Sequence, residues 1–349
     1  TGPPRGSVSF GGGSYGTFRE TASVQGASRG FNLSVSASRF DSRGQFDNDD
    51  AEQTALAGRV GYDFPWKGQL SLAGRYCKLT TDLPIHSVNP IVFDPNSQQQ
   101  NETWLYNLVY EQKLFDWWGL RLRYGQWWHN QGSQDAPPPA GGSGDDPAEN
   151  AFANPVSQID TRRREFEVVN AFHLARWNTF TLGAEHRNER GRNRSVCSPL
   201  LGVFGITNEC NQGRFTIREE INTISVFGQD EVRLFDRLFL VGGLRWDDND
   251  QFGDEVTPRM SAAVLVKETG SRLRGAWGKG FRAPTINDLA FPGFGRPGVG
   301  PERSESYEFG FDQKVWQNRV RFGAVHEFVQ KQAKHAGARK RRHRGKKIE

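Results

Sequence analysis

The chain has 349 residues, of which 36% are hydrophobic and 24% charged, and its mean hydropathy is -0.68. No window approaches 18 consecutive apolar residues, so the composition excludes a membrane-spanning helix. Glycine, phenylalanine and tryptophan are abundant (40, 25 and 10 residues) whereas methionine occurs once, which favours β structure and argues against disorder. The net charge of +5 comes from residues 331–349, where nine Lys or Arg accompany one acid, so the rest of the chain is net negative.

Apolar and polar residues alternate along most of the chain. In residues 103–115, Trp104, Tyr106 and Leu108 share one face while Asn107 and Glu111 lie on the other, which is the period of a β-strand. No segment has the pattern of a strong amphipathic helix. Counting the alternating segments predicts about fifteen strands. They lie near residues 5–13, 16–27, 30–41, 51–63, 68–80, 101–115, 118–130, 159–174, 177–190, 214–234, 237–247, 256–268, 271–282, 303–316 and 318–329.

The predicted connections are unequal in length. Tight turns follow Asp63, Phe115, Ala175, Phe235 and Lys267, and aromatic residues cluster beside them. Trp127 and Trp128, at the loop end of their strand, are assigned to a second aromatic girdle at the opposite end. Short turns at one end, long loops at the other and aromatic girdles are typical of a transmembrane antiparallel β-barrel, in which only alternate residues need be apolar. A soluble all-β fold is the alternative, but it does not usually combine such long strands with charged inner faces. The long polar loops, which are the candidate ligand-binding segments, are 81–100, 131–158, 191–213 and 283–302.

The charged faces must meet water, because a charge facing lipid is costly. They predict a wide, wet lumen that passes or docks a solute. The predicted lining residues are Arg121, Arg123, Glu165, Glu167, Glu185, Arg187, Glu231, Arg233, Arg272 and Arg274.

Several motifs resemble those of TonB-dependent outer-membrane receptors. Phe281-Arg282-Ala283-Pro284 ends a predicted strand, and residues 301–310, which read Pro-Glu-Arg-Ser-Glu-Ser-Tyr-Glu-Phe-Gly, open the next. Residues 4–17, 225–231 and 244–259 are similar to the same family in the same order. The likeness is closest to the vitamin B12 transporter branch, which includes siderophore receptors, and it covers about residues 4–325.

The resemblance implies a 22-strand barrel that encloses an N-terminal plug with a TonB-binding box. This chain shows neither plug nor box and about fifteen of the strands, so residues 1–330 are interpreted as a partial barrel of a fragmentary chain. Residues 331–349 form a basic tail, interpreted as disordered or derived from a frameshift. Electrostatic binding of the tail to nucleic acid or anionic lipid is the alternative, but no aromatic residues are interleaved for base stacking, and no nucleic-acid partner is expected.

An acidic loop is the candidate metal site. Asp41, Gln45, Asp47, Asp49 and Asp50 offer alternate oxygen ligands that suit Ca²⁺, and the loop resembles the calcium-binding loop of vitamin B12 transporters. A solvated acidic turn is the alternative, and no cofactor is expected to be required.

Two of the three cysteines stand in one loop. Cys197 and Cys210 are candidates for a disulfide, with two free thiols as the open alternative, and Cys77 stands alone in a strand.

The leading functional hypothesis is a transporter barrel in the outer membrane of a Gram-negative-type bacterium, in contact with its lipids. It would import a ferric siderophore or a cobalamin with energy from TonB. A passive porin-like channel is the alternative. An outer-membrane enzyme is the third hypothesis, but no catalytic constellation is found, so no enzyme is predicted.

Overall fold

The computed structural model describes residues 2–88, 91–93, 97–134, 156–196, 214–290, 295–296, 298–315 and 320–332. It divides into two compact units, residues 1–228 and 229–349. Apart from one short helix, its regular structure is strand. The strands are β1 Arg5–Gly12, β2 Phe18–Ser28, β3 Phe31–Ser42, β4 Ala51–Asp63, β5 Gly68–Asp82, β6 Ile85–Val88, β7 Ile91–Phe93, β8 Gln98–Phe115, β9 Trp118–Gln134, β10 Val156–Ala175, β11 Asn178–Val196, β12 Arg214–Leu234, β13 Leu238–Asn249, β14 Gly253–Val266, β15 Ser271–Arg282, β16 Glu302–Val315 and β17 Val320–Gln332.

Fifteen of these strands pair in chain order in one antiparallel sheet, which confirms the predicted strand count and fold class. Two small elements in predicted loops were missed. The strands β6 and β7 form a separate hairpin within 81–100, and the helix α1, Ile286–Ala290, lies within 283–302. Among the described residues no helix is long and apolar enough to cross a membrane.

Within each unit most short connections lie at one end of the strands. The exceptions are residues 13–17 between β1 and β2 and residues 250–252 between β13 and β14, which lie at the end of the long loops. The turn between β2 and β3 has positive φ at both central residues, Arg29 and Gly30, which is the hairpin geometry that matches the twist of the strands. A Cβ on Gly30 would meet the carbonyl oxygen of Asp63 at 2.9 Å, so the position requires glycine. The turn end is therefore determined by local chemistry.

At the opposite end several strands continue beyond their predicted limits. The strand β9 reaches Gln134, β11 reaches Val196, and β17 reaches Gln332, two residues into the segment interpreted as a tail. Both faces of a strand meet water beyond the membrane, so its residues need not alternate and the period-2 pattern cannot detect them.

The sheet of the first unit has two chemically distinct walls. We call the wall that carries Leu108, Tyr124 and Phe166 the apolar wall, and these residues face one another directly across β8, β9 and β10. The charged wall carries Arg123, Glu167 and Glu185, which are aligned in the same way across β9, β10 and β11.

Exposure on these walls is the reverse of that in a soluble protein. Phe166 is 48% exposed, whereas Glu185 on the charged wall is 6% exposed. The second unit repeats the pattern, with Leu273 54% exposed and Asp247 4% exposed. An exposed apolar wall backed by a sheltered charged wall is the pattern of a strand that meets lipid on one side and a lumen on the other.

Candidate functional site

A network of ion pairs occupies the charged wall of the first unit. Arg123 on β9 pairs with Glu165 and Glu167 on β10, and its Nε lies 3.2 Å from Glu167 Oε1. Arg187 on β11 contacts Glu185 at 2.6 Å and Glu165 at 3.7 Å. Every second residue of a strand points to the same wall, so side chains of three adjacent strands meet in this network. The sequence predicted all five residues on this wall.

The three glutamates of the network offer oxygens within 4.8 Å of one another, the one grouping of this kind among the described residues. Arg163 joins them from the same wall, with its Nη2 3.0 Å from Glu165. Three arginines therefore face three carboxylates, so the charge that a cation would neutralise is already neutralised by protein. We interpret the cluster as an ion-pair network that supports the lumen wall.

Towards the loop end of the charged wall, aromatic and polar groups adjoin this network. Trp127 stacks on His129 with ring centroids 5.5 Å apart and planes 5° apart. His129 Nδ1 lies 2.9 Å from the hydroxyl of Thr103. Trp127 directly opposes Arg163 on β10. The wall thus offers a flat ring surface beside a cation, an arrangement suited to contact with a large solute.

Trp127 corrects one expectation from the sequence, in which Trp127 and Trp128 together formed an aromatic girdle. Consecutive strand residues point to opposite walls, so only Trp128 lies on the apolar wall, where it opposes Trp104. The girdle at the turn end is present, with Trp117 and Trp118 stacked at 6.0 Å and Trp118 6.0 Å from Phe172.

The second unit carries its own pairs. Arg272 donates to Asp312 across β15 and β16, with its Nε 2.8 Å from Oδ2, and Arg274 lies 3.8 Å from Glu308. Arg245 Nε lies 2.9 Å from Asp247 Oδ1. The second unit therefore also has a wall of mixed charge, as predicted, with ion pairs within one strand and between neighbouring strands.

The acidic loop after β3 is organised by its own backbone and side chains. The backbone N–H of Gln45 donates to Asp49 Oδ2 at 2.8 Å. Gly44 has a φ of 71°, and Asp49 packs against it. Asn48 Nδ2 donates to the carbonyls of Leu83 and Ser97, at 3.3 and 3.1 Å, and so links this loop to the next one.

The predicted calcium ligands are only partly available. Asp41 is bound by Arg39, whose Nε lies 3.0 Å from Oδ2, and no three carboxylates of this loop converge as the glutamates of the charged wall do. Asp47, Asp49 and Asp50 lie in the loop as the sequence predicted, and the backbone N–H of Gln45 donates a hydrogen bond to Asp49. In this arrangement the five residues do not form a ligand shell, and calcium binding stays a prediction.

Other predicted features lie outside the described residues. Cys197 and Cys210 do so, as do residues 135–155 and 197–213 of the loops and residues 333–349 of the basic tail. Cys77 is a free thiol whose sulfur accepts a hydrogen bond from Gln53 at 3.3 Å.

Comparison with known proteins decides the family. Residues 5–325 match the family described as TonB dependent receptor-like, beta-barrel. The chain belongs to this family. Part of it is also similar to the vitamin B12 transporter BtuB of Photobacterium profundum, with 34% identity over 98 residues, which are 28% of this chain and 16% of that protein.

Solved structures of two receptors for ferric compounds share the fold. The ferric enterobactin receptor PfeA of Pseudomonas aeruginosa, solved as a variant, aligns with a TM-score of 0.68 at 15% identity, over 96% of this chain and 54% of its own. The ferric yersiniabactin uptake receptor FyuA of Yersinia pestis aligns with a TM-score of 0.72 at 16% identity, over 95% of this chain and 55% of its own. The chain thus spans about half the length of these receptors.

Proposed function

We propose that this chain is the barrel portion of an outer-membrane receptor that imports a ferric siderophore or a cobalamin with energy supplied through TonB. The observation that carries the proposal is the family match over residues 5–325. The sequence similarity to a vitamin B12 transporter favours cobalamin, and siderophore receptors share the fold. The family consists of receptors, and we expect no catalytic activity.

The geometry supports a solute path along the charged wall. Arg123, Glu165 and Glu167 pair with one another and need no external ligand, so we assign them to wall stability. Trp127, His129 and Arg163 lie closer to the loop end, where a solute would first reach the wall. A large cargo gains affinity from aromatic surface there, and the outer loops would complete its site.

The test is cargo binding by the full chain inserted into lipid vesicles. Cyanocobalamin and a panel of ferric siderophores are titrated while ionic conductance is recorded across the same membranes. Saturable binding at nanomolar concentration, weakened by Trp127→Ala and unchanged by Trp66→Ala at the turn end, is the expected result. Ion conductance without binding of any cargo would instead establish a porin-like channel and overturn the proposal.

A further inference from the structure

The loop end of the apolar wall carries an unexpected set of cations. The register places Arg162 opposite both Trp128 and Arg190, so these arginines share the wall of Leu108 and Phe166 and not the lumen wall. Arg164, Arg192 and Arg194 have the same parity on the same two strands. Arg218 of β12 lines the same surface depression as Arg162, Arg190 and Arg192. We call this set of residues the arginine belt: Arg162, Arg164, Arg190, Arg192, Arg194 and Arg218.

The belt lies at the depth where a bilayer has its headgroups. Trp128 opposes Trp104, which packs on Tyr76 at 4.3 Å, so an aromatic cluster marks this level as an interface. The other aromatic cluster includes Phe172, ten residues from Arg162 along β10. At about 3.3 Å per residue and a tilt of about 40°, the two levels are roughly 25 Å apart, which is the height of the apolar band of an outer-membrane barrel.

The arginine belt contains more arginines than there are acidic side chains to pair with them. Glu220 accepts from Arg190 at 3.0 Å and from Asn188 at 2.7 Å, and Asp160 accepts from Asn130 at 2.7 Å. Glu102 opposes Asn130 on the same wall, and Glu219 lines the same depression as Glu220. Six arginines therefore share the patch with four acids, so cations remain in excess. The Nε atoms of Arg162 and Arg192 are shielded from solvent and, like those of Arg187 and Arg274 on the charged wall, lack a hydrogen-bond acceptor within the described part of the chain. Because the arginines of the patch also outnumber its acids, the patch is suited to an external anion.

The belt also surrounds a suitable space. A depression of about 1000 Å³ opens between Trp104, Trp128, Arg162, Arg190 and Arg192. Its walls combine indole rings with guanidinium groups, and the apolar wall continues below it at Tyr124 and Phe166. A phosphate could therefore bind the arginines while the hydrocarbon attached to it lies along the apolar wall.

We propose that the arginine belt binds the phosphates of a lipopolysaccharide molecule in the outer leaflet of the membrane. A lipid is favoured over a soluble phosphate because the depression opens on the lipid-facing wall, at headgroup depth. Arginine suits this role because its planar fork donates two parallel hydrogen bonds to phosphate oxygens. The proposal rests on the outer-membrane location in the proposed function, but it does not depend on the cargo.

The first test measures lipid retention. The full chain is inserted into vesicles that contain lipopolysaccharide and extracted in detergent, and the co-purified glycolipid is quantified by mass spectrometry. The double variant Arg162→Gln/Arg192→Gln should retain lipopolysaccharide roughly thirtyfold more weakly than the unmodified chain, because each arginine near a membrane surface contributes about fivefold in affinity. Arg121→Gln is the control, because Arg121 faces the charged wall, is 48% exposed and makes only a 3.6 Å contact with Glu111, and it should retain lipid normally. Equal retention by the double variant and the control would overturn the proposal.

A second measurement needs no variant and stays decisive if the double variant fails to insert. The unmodified chain is offered lipopolysaccharide before and after enzymatic removal of its phosphates, and then inorganic phosphate in excess as a competitor. Retention of only the phosphorylated glycolipid, undisturbed by inorganic phosphate, is the expected result. Equal retention of the dephosphorylated glycolipid, or displacement by inorganic phosphate alone, would contradict a lipid-phosphate site. Failure to bind cobalamin or a siderophore in the same vesicles would affect the proposed cargo only.

Discussion

The two walls of β10 treat charge in opposite ways. On the charged wall, Glu165 and Glu167 are sheltered and paired with arginines of three strands. On the apolar wall, one residue away along the same strand, Arg162 and Arg164 belong to a patch in which arginines outnumber acids. The difference teaches that the lumen wall balances its charges with its own side chains, whereas the loop end of the lipid wall keeps an excess of cations, which suits it to an anionic partner in the membrane.

The largest expected effect comes from removing the central cation of the charged wall. Arg123→Met should lower the free energy of unfolding by about 3 kcal/mol, because Glu165 and Glu167 would remain sheltered with fewer counter-charges. Urea titration of the vesicle-inserted chain, followed by tryptophan fluorescence, measures the change.

Arg121→Met is the matched control for this change. Arg121 lies on the same strand and wall, but its side chain is 48% exposed and its contact with Glu111 is 3.6 Å long. We expect a loss below about 1 kcal/mol. Equal losses in the two variants would mean that the network does not stabilise the wall.

The next effect compares two adjacent valines. Val168 lies on the apolar wall opposite Leu122, and Val169 lies on the charged wall opposite Arg121. Val168→Arg should cost about 2–3 kcal/mol in the apolar part of the bilayer, because the charge would meet hydrocarbon. Val169→Arg should cost below about 1 kcal/mol, because water in the lumen solvates the new charge and screens it from Arg121.

The same urea titration distinguishes the two valine variants. A larger loss for Val169→Arg than for Val168→Arg would reverse the assignment of lipid and lumen walls. Such a result would also remove the basis for placing the arginine belt in the headgroup region.

Strand count, wall assignment and turn end could be predicted from the sequence, because lipid on one side and water on the other impose period 2 over the membrane. The limits of the strands at the loop end could not be predicted in this way. Residues 131–134 and 191–196 extend the sheet where both faces are wet, so hydrogen bonding to the neighbouring strand holds them and no hydrophobic pattern reports them. The hairpin of β6 and β7 was missed because its strands have only four and three residues, too few to define an alternation.

The arginine belt was also missed, although its signal is present in the sequence. Arg162 and Arg164 share the parity of Phe166, Val168 and Phe172, so continuing the alternation backwards would have placed them on the lipid wall. The alternation of this strand was followed only from residue 165, so these arginines were assigned to neither wall. The cross-strand register that joins Arg162 to Trp128 and Arg190 is a property of the folded sheet, and only the structure supplies it.

The smallest effect concerns the helix α1, which is capped by a reciprocal pair. The amide of Thr285 donates to Asp288 Oδ2 at 2.8 Å, and the amide of Asp288 donates to the Thr285 hydroxyl at 3.2 Å. The backbone hydrogen bond from Thr285, followed by its hydroxyl, lowers the pKa of the Asp288 carboxyl below its ordinary value of 3.8. Because the folded pKa is the lower one, this stabilisation is fully present above pH 3.8 and is lost as the pH falls through the folded pKa.

Hydrogen-deuterium exchange of residues 286–290 should therefore accelerate as the pH falls below 3.8, after correction for the intrinsic exchange rate. Thr285→Ala should accelerate exchange already at neutral pH by roughly fivefold, since loss of a helix cap costs about 1 kcal/mol, whereas Thr285→Ser keeps the hydroxyl and should leave exchange nearly unchanged. Asp288→Asn should remove the pH dependence. Exchange that is independent of pH in the unmodified chain would show that the carboxylate does not hold the helix, and the effect of Thr285→Ala would then belong to the hydroxyl alone.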